Sequence, residues 1–165
     1  MPPAETQFFA QSAQDLVTPA ELVSMSGLDF MRGILEGRIA APPIARVLNF
    51  SLERVAEGVA DFCGAPDFDA MNPMGTVHGG WYGAILDSCM ACAVMTTLPQ
   101  GKIYTTLEYK VNIIRPIALG TEVRAVGRVQ HAGRSTGVAM GELVGVADGR
   151  LYATGSTTCI IMSPK

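Results

Sequence analysis

The sequence predicts an α+β fold: one long central helix wrapped by an antiparallel β-sheet, with an N-terminal helical extension. Residues 79–98 form an apolar, helix-compatible stretch that contains no proline and is followed by Pro99. The chain after residue 103 alternates polar and apolar side chains in runs separated by turn residues, as half-buried strands do. The first forty residues carry helix-capping patterns, which predict the extension.

Two capping patterns define the predicted N-terminal helices. Thr18 and Glu21 have the spacing of a capping box, and Ser26 with Asp29 marks a second helix start. We expect these helices to be peripheral to the sheet and helix that follow.

No internal repeat or linker divides the rest of the chain. We therefore expect an extension over residues 1–40 and a single domain over residues 41–165. At the start of that domain, the pattern predicts a first strand over residues 44–55 and another extended segment over residues 59–63.

Four strands are predicted after the long helix. The apolar positions of the first are Leu107, Tyr109, Val111 and Ile113, which alternate with polar residues. Residues 121–129 alternate in the same way, and turn signals at 131–133 and 148–149 predict an antiparallel hairpin of 136–146 with 151–162. Because short turns join consecutive strands, we expect a four-stranded meander.

A sheet with one apolar face must bury that face against another element of the fold. The helix over residues 79–98 is apolar on most sides, so it is the element able to fill the concave face of the sheet. This arrangement predicts a hotdog fold.

Composition narrows the classes of partner. Only 16% of residues are charged and 48% are hydrophobic, so we expect much surface to be hidden in a core or between subunits. A net charge of −3 without a Lys or Arg run argues against nucleic acid. A membrane span over 79–98 is disfavoured by Asp87 near its middle, and no secretory signal is visible, so we expect a cytoplasmic protein.

Asp87 is the first candidate for chemistry. It is the only formally charged residue in 70–101, and burying a lone carboxylate costs several kcal/mol unless hydrogen bonds or a functional use compensate. The helix is predicted to begin near His78 or Gly79. The N–H groups of Gly79 and Gly80 then lie at the positive end of its dipole, suited to a carbonyl oxygen that becomes negative.

One helix separates these two features too widely for a single reacting atom. Asp87 follows Gly79 by eight positions, which is about 12 Å of helical rise. A second copy of the helix lying antiparallel beside the first brings them together, so the sequence predicts a dimer with shared sites.

At these residues the chain resembles the PaaI-type acyl-CoA thioesterases of the hotdog superfamily. The resemblance rests on the loop Asn72-Pro73-Met74-Gly75-Thr76-Val77-His78-Gly79-Gly80, on Asp87, and on the strand from Thr106 to Pro116. It implies hydrolysis of an acyl-CoA thioester to a free acid and coenzyme A. It also implies no cofactor, because coenzyme A is part of the substrate, and a homo-oligomer that is a dimer of dimers.

The resemblance also implies roles for individual residues. The N–H of Gly79 polarises the thioester carbonyl with help from Asn72, while Asp87 of the other subunit activates water or attacks directly. Thr106 orients the water. For Asp87 the choice between base and nucleophile stays open, and a purely structural role for Asn72 or Thr106 is the alternative.

Other residues are assigned to substrate binding. They are His78, Gly80, Trp81, Arg115, Arg128 and Arg134. The arginines are candidates for the phosphates of coenzyme A, because a guanidinium binds phosphate in a bidentate manner. Trp81 is expected to line the acyl pocket or to pack the dimer core, and His78 to cap the helix. Cys89 and Cys92 have CxxC spacing inside a helix without further ligands, so we expect no metal.

Two other functions use the same residues. A non-catalytic acyl-CoA sensor has this fold but does not need a base beside the thioester. A hotdog hydratase or dehydratase pairs a histidine with a carboxylate, but His78 and Asp87 are nine residues apart on one helix. We therefore expect a thioester hydrolase.

Overall fold

The computed structural model describes residues 7–164; residues 1–6 of the predicted extension and Lys165 lie outside the described part of the chain. The helices are α1 (Pro19–Val23), α2 (Gly27–Leu35), α3 (Pro43–Val47) and α4 (Gly79–Met95), and the strands are β1 (Phe50–Ala56), β2 (Val59–Gly64), β3 (Ile103–Ile113), β4 (Val123–Ala132), β5 (Thr136–Gly145) and β6 (Leu151–Met162).

The six strands form one antiparallel sheet that wraps around α4. Their order across the sheet is β1-β2-β4-β5-β6-β3. Helix α4 contacts every strand from β2 to β6, and most of its side chains are buried. The fold class predicted from the sequence is therefore confirmed: this is a hotdog fold, preceded in the chain by short helices. Among residues 7–164, no helix is both long and apolar enough to cross a membrane.

Close packing between α4 and the sheet depends on a glycine. A Cβ atom at Gly127 of β4 would overlap the backbone carbonyl of Cys89 in α4. The absence of a side chain at this position lets the strand approach the helix backbone directly.

The N-terminal helices begin where the capping patterns predict. The side chains of Thr18 and Ser26 accept hydrogen bonds from the N–H groups of Glu21 and Asp29, respectively. Helix α2 then packs on β1 and on α4, and the N–H of Gly27 donates to the carbonyl of Leu98 at 2.9 Å.

The prediction of a strand over residues 44–55 is wrong at its start. Residues Pro43–Val47 form α3, and β1 begins only at Phe50. Pro42 and Pro43 occupy the N-cap and first position of a helix, where a fixed φ and a missing N–H are favourable. Asn49, with a φ of 53°, then turns the chain into β1.

The predicted four-stranded meander is wrong for its first strand. Strands β4, β5 and β6 do form a meander, but β3 pairs with β6 instead of β4. The connection over residues 114–122 carries the chain to the far side of the hairpin, where β4 pairs with β2. Strand β3 consequently lies at the edge of the sheet.

Candidate active site

Asp87 lies on the one face of α4 that the sheet leaves partly open. From Trp81 to the end of the helix, the half-buried residues are Ala84, Asp87, Ser88 and Cys92. Their spacing of three and four residues places them along one stripe. The hydroxyl of Thr106 in β3 donates to Asp87 Oδ1 at 3.1 Å. The structure thus brings together two residues that the sequence assigned to one site.

A β-bulge in β3 aims Thr106 at the helix. The pairing of β3 with β6 shifts register between Thr106 and Glu108, so Leu107 is the extra residue. Thr106 and Tyr109 therefore both face α4, and the Tyr109 ring covers Gly83 of that helix. The expectation that Leu107 shares a face with Tyr109 is wrong, because the bulge leaves Leu107 58% exposed.

Burial decides the acidity of Asp87. Desolvation raises the pKa of this carboxyl above its ordinary value of 3.8, and the hydrogen bond from Thr106 acts in the opposite direction without cancelling the increase. A carboxylate with a raised pKa is a stronger base than an exposed aspartate. The environment therefore favours proton transfer as a role for this group.

The first turn of α4 leaves one backbone donor free. His78 is the N-cap, and its Nδ1 accepts from the N–H of Gly80 at 2.8 Å. The N–H of Trp81 donates to the carbonyl of His78. Within residues 7–164, the N–H of Gly79 has no hydrogen-bond acceptor. This free donor stands at the positive end of the helix dipole.

The loop before α4 is ordered by Asn72. Its side-chain amide donates to Thr76 Oγ1 at 2.8 Å, and its Oδ1 accepts from the N–H groups of Met74 and Thr76 at 2.9 and 3.2 Å. Both ends of the side chain are thus used inside the loop. In this conformation Asn72 fixes the path of the chain that presents Gly79.

Within one chain, Gly79 and Asp87 remain about two helical turns apart, roughly 12 Å along the axis. Strand β3 runs antiparallel to α4 beside this stretch, since Thr106 contacts Asp87 and Ile113 lies next to Gly79. The two chemical features therefore mark opposite ends of the stretch of α4 that lies along β3 between Ile113 and Thr106.

The residues assigned to substrate binding are dispersed. Trp81 is 2% exposed, and its indole N–H donates to the carbonyl of Leu48, which are the contacts of a core residue. His78 caps the helix, as expected, so its Nδ1 is not available to pair with Asp87. Arg128 donates to the buried Asp61 at 3.1 Å. Its neighbour Gly127 faces α4, so Arg128 points to the other side of the sheet.

Two arginines remain accessible. Arg115 donates to the carbonyl of Leu151 and lines a surface cleft of about 300 Å³ together with Tyr82 and Ile113, near the start of α4. Arg134 is exposed in the turn between β4 and β5.

The two cysteines of α4 are kept protonated at neutral pH. Burial raises the pKa of the Cys89 thiol well above its ordinary value, and raises that of Cys92 to about 12. Neither thiol is therefore a thiolate nucleophile at neutral pH.

The expectation that the N-terminal helices are peripheral missed one feature of the site. Residues of this segment line a cavity together with Ser88 and Cys92 of α4. Capping patterns predict where a helix begins but not which surface it covers, so no signal in the sequence marked these contacts.

Known proteins resemble this chain in sequence and in fold. The profile of the family described as the thioesterase superfamily matches residues 74–153. Acyl-coenzyme A thioesterase 13 of Mus musculus is 26% identical over 87 residues, which are 53% of this chain and 61% of the mouse protein. The match thus spans less than two thirds of that relative's length.

Solved structures extend the similarity. A mutant of the phenylacetic acid degradation protein PaaI from Thermus thermophilus is 28% identical, with a TM-score of 0.65 over 72% of this chain and 97% of that chain. A conserved protein from Pseudomonas aeruginosa is 30% identical, with a TM-score of 0.66 over 72% and 93% of the two chains. With its hotdog fold and the matched profile, the chain belongs to the thioesterase superfamily.

Proposed function

We propose that the protein is an acyl-CoA thioesterase, which hydrolyses its substrate to a free acid and coenzyme A at a site shared by two subunits. The observation that carries the proposal is the half-buried Asp87, held by Thr106 on the open face of α4, on the same helix as the free N–H of Gly79. One helix thus carries a base and an oxyanion donor, the two groups that hydrolysis of a thioester needs.

The reaction follows from these groups. Asp87 takes a proton from a water molecule oriented by Thr106, and the resulting hydroxide attacks the carbonyl carbon. The carbonyl oxygen becomes negative and accepts a hydrogen bond from Gly79 N–H. When the tetrahedral intermediate collapses, the C–S bond breaks and the thiolate of coenzyme A leaves with the proton that Asp87 returns. Direct attack by Asp87 on the carbonyl carbon is the alternative first step.

A dimer formed along β3 completes the site. Strand β3 pairs only with β6 among the described strands, and its exposed apolar side chains include Leu107, Tyr109 and Ile113. An unpaired, apolar edge strand is a template for pairing with a second copy. A two-fold axis near Tyr109 places Thr106 of one copy opposite Ile113 of the other. The partner's Gly79 then lies beside Asp87, because each residue adjoins one end of β3.

In this dimer, the coenzyme A portion of the substrate extends away from the start of α4 in the partner subunit. The cleft lined by Tyr82, Ile113 and Arg115 opens beside Gly79, and the Arg115 guanidinium suits a phosphate. Arg134 is the second accessible candidate. Arg128 is not included, because Asp61 already holds it.

Thiol release from a panel of acyl-CoA thioesters tests the activity. We expect turnover that is lost in Asp87→Asn. Binding of the thioesters without thiol release would instead support a sensor.

Mixing two inactive variants tests the sharing of the site. Each variant lacks one group, Asp87→Asn the base and Gly79→Pro the N–H. After dissociation and random reassembly of equal amounts, mixed dimers hold one intact site, so about a quarter of wild-type activity should return. A mixture as inactive as its components, in which mixed dimers are detected by mass spectrometry, would refute a shared site.

A further inference from the structure

A cavity of about 290 Å³ lies between the N-terminal segment and the hotdog core. One wall comes from residues before β1, including Phe30 and Met31 of α2 and Ala45 of α3. The opposite wall includes Ser88 of α4 and Tyr104 of β3. The cavity thus exists only because the N-terminal segment covers this end of the helix and sheet.

The cavity adjoins the Asp87 and Thr106 pair. Ser88 is the next residue of α4 after Asp87, and both belong to its half-buried stripe. Tyr104 precedes Thr106 by two positions in β3, so both side chains point to the same side of the strand. A group attached to a carbonyl carbon beside Asp87 therefore has this cavity as its neighbour.

The cavity walls disfavour an acyl group that carries a charge. Among residues 7–164, no Asp, Glu, Lys, Arg or His lines the cavity, and most of its lining residues are aliphatic or aromatic. Burial also raises the pKa of Tyr104 well above its ordinary value, which keeps its hydroxyl neutral. A carboxylate entering this space would lose its hydration without gaining a counter-ion.

The volume of the cavity limits the number of carbon atoms that it can hold. A cavity of about 150 Å³ holds one benzene molecule, which is about 25 Å³ for each carbon atom. At the same density, 290 Å³ accommodates about a dozen carbon atoms.

We infer that this cavity is the acyl pocket of the protein and that its N-terminal segment determines specificity. The substrate class is an acyl-CoA with an uncharged, apolar acyl group of up to about a dozen carbons. The inference rests on the proposed thioesterase activity, because it assigns the acyl side of the same site.

A series of straight-chain acyl-CoA substrates from butyryl to palmitoyl, with succinyl-CoA as the charged counterpart of butyryl-CoA, tests the inference. We expect kcat/KM to rise up to about fourfold for each buried methylene, to stop rising near a dozen carbons, and to be far lower for succinyl-CoA. Equal kcat/KM across the chain lengths, or a preference for succinyl-CoA, would overturn the assignment.

Variants on two faces of α3 locate the pocket. Ala45 is 2% exposed and lines the cavity, whereas the adjacent Ile44 points to solvent and does not. Ala45→Phe should lower the ratio of kcat/KM for decanoyl-CoA to that for butyryl-CoA at least tenfold, while the control Ile44→Phe leaves the ratio unchanged. Phe30→Ala, which enlarges the same cavity, should raise the ratio of lauroyl-CoA or longer substrates to decanoyl-CoA. Equal ratios in all three variants and wild type would refute the pocket.

Calorimetric titration with sodium decanoate separates this inference from the proposed function. Decanoate binding that is weakened by Ala45→Phe but not by Ile44→Phe would support the pocket. If no thioester were hydrolysed in the same experiments, the proposed hydrolysis alone would be refuted. Thiol release with no dependence on chain length and no decanoate binding would leave the hydrolysis standing and remove the pocket.

Discussion

Replacement of Gly79 by proline removes one backbone N–H and almost nothing else. Gly79 is the first residue of α4, where proline is favourable because that N–H has no partner in the helix. His78 has φ −64° and ψ 137°, the extended conformation that the residue before a proline adopts. An added Cβ would lie 3.5 Å from Ile113 Cδ1, an ordinary contact distance. The helix therefore accepts the substitution without strain.

The expected effects on stability and catalysis have opposite signs. At a compatible backbone site, proline stabilises the folded protein by about 0.4–1 kcal/mol, because it restricts the unfolded chain. For a chain of this size, this corresponds to an increase of roughly 1–4 °C in Tm. Loss of one oxyanion donor should lower kcat by about 10²–10³, which is about 3–4 kcal/mol of transition-state stabilisation.

Gly79→Ala is the matched control, because it adds the same Cβ but keeps the N–H. We expect its kcat to be close to that of wild type. The measurements are thiol-release kinetics at saturating substrate and thermal unfolding of the three proteins. A folded Gly79→Pro protein with the kcat of Gly79→Ala would refute the role of this N–H.

Three further variants test the base and the core. Asp87→Asn should lower kcat by about 10²–10⁴. Burial raises the folded-state pKa of Asp87, so ionising this group destabilises the folded protein. This cost is absent well below pH 3.8 and grows as pH rises through the folded-state pKa. Asp87→Asn should therefore unfold at a higher temperature than wild type at pH 8, and the difference should narrow towards pH 4. Thr106→Val should move the acid limb of the kcat/KM profile to higher pH, since it removes the hydrogen bond that lowers the Asp87 pKa; an unmoved limb would count against Asp87 as the titrating group. Gly127→Ala should lower the free energy of unfolding by about 1–3 kcal/mol in urea denaturation, because its Cβ would overlap the Cys89 carbonyl; an unchanged midpoint would contradict that close approach.

Local signals in the sequence predicted the central helix, its N-terminal end and the carboxylate that stands out within it. The turn-rich loop before Gly79 and the proline after residue 98 bound one long apolar segment, and α4 occupies Gly79–Met95. Asp87 stood out because an unpaired charge in such a segment has a high solvation cost, a property of the residue and its neighbours in sequence alone. Both signals act over short sequence distances.

Features that depend on distant pairing escaped prediction. The alternation around Leu107 continues regularly through the bulge, because the shift arises from pairing with β6 and no glycine marks it. The same long-range choice places β3 beside β6 instead of β4. In α3, exposed Ile44 and Val47 gave the segment the apolar character of a strand although neither is buried.

Three features of the α4 and β3 pair run against stability when considered separately. Among the described residues, Asp87 loses hydration with a single hydroxyl partner, the bulge at Leu107 interrupts the ladder, and the Gly79 N–H forms no hydrogen bond. Single substitutions can remove each of these features, so selection for stability alone would not keep them. The proposed dimer gives their placement a common explanation, since a two-fold axis near Tyr109 would bring the base of one subunit beside the Gly79 donor of the other. Local rules are broken most often where function requires it, and here the violations fall on the groups that the proposed hydrolysis uses.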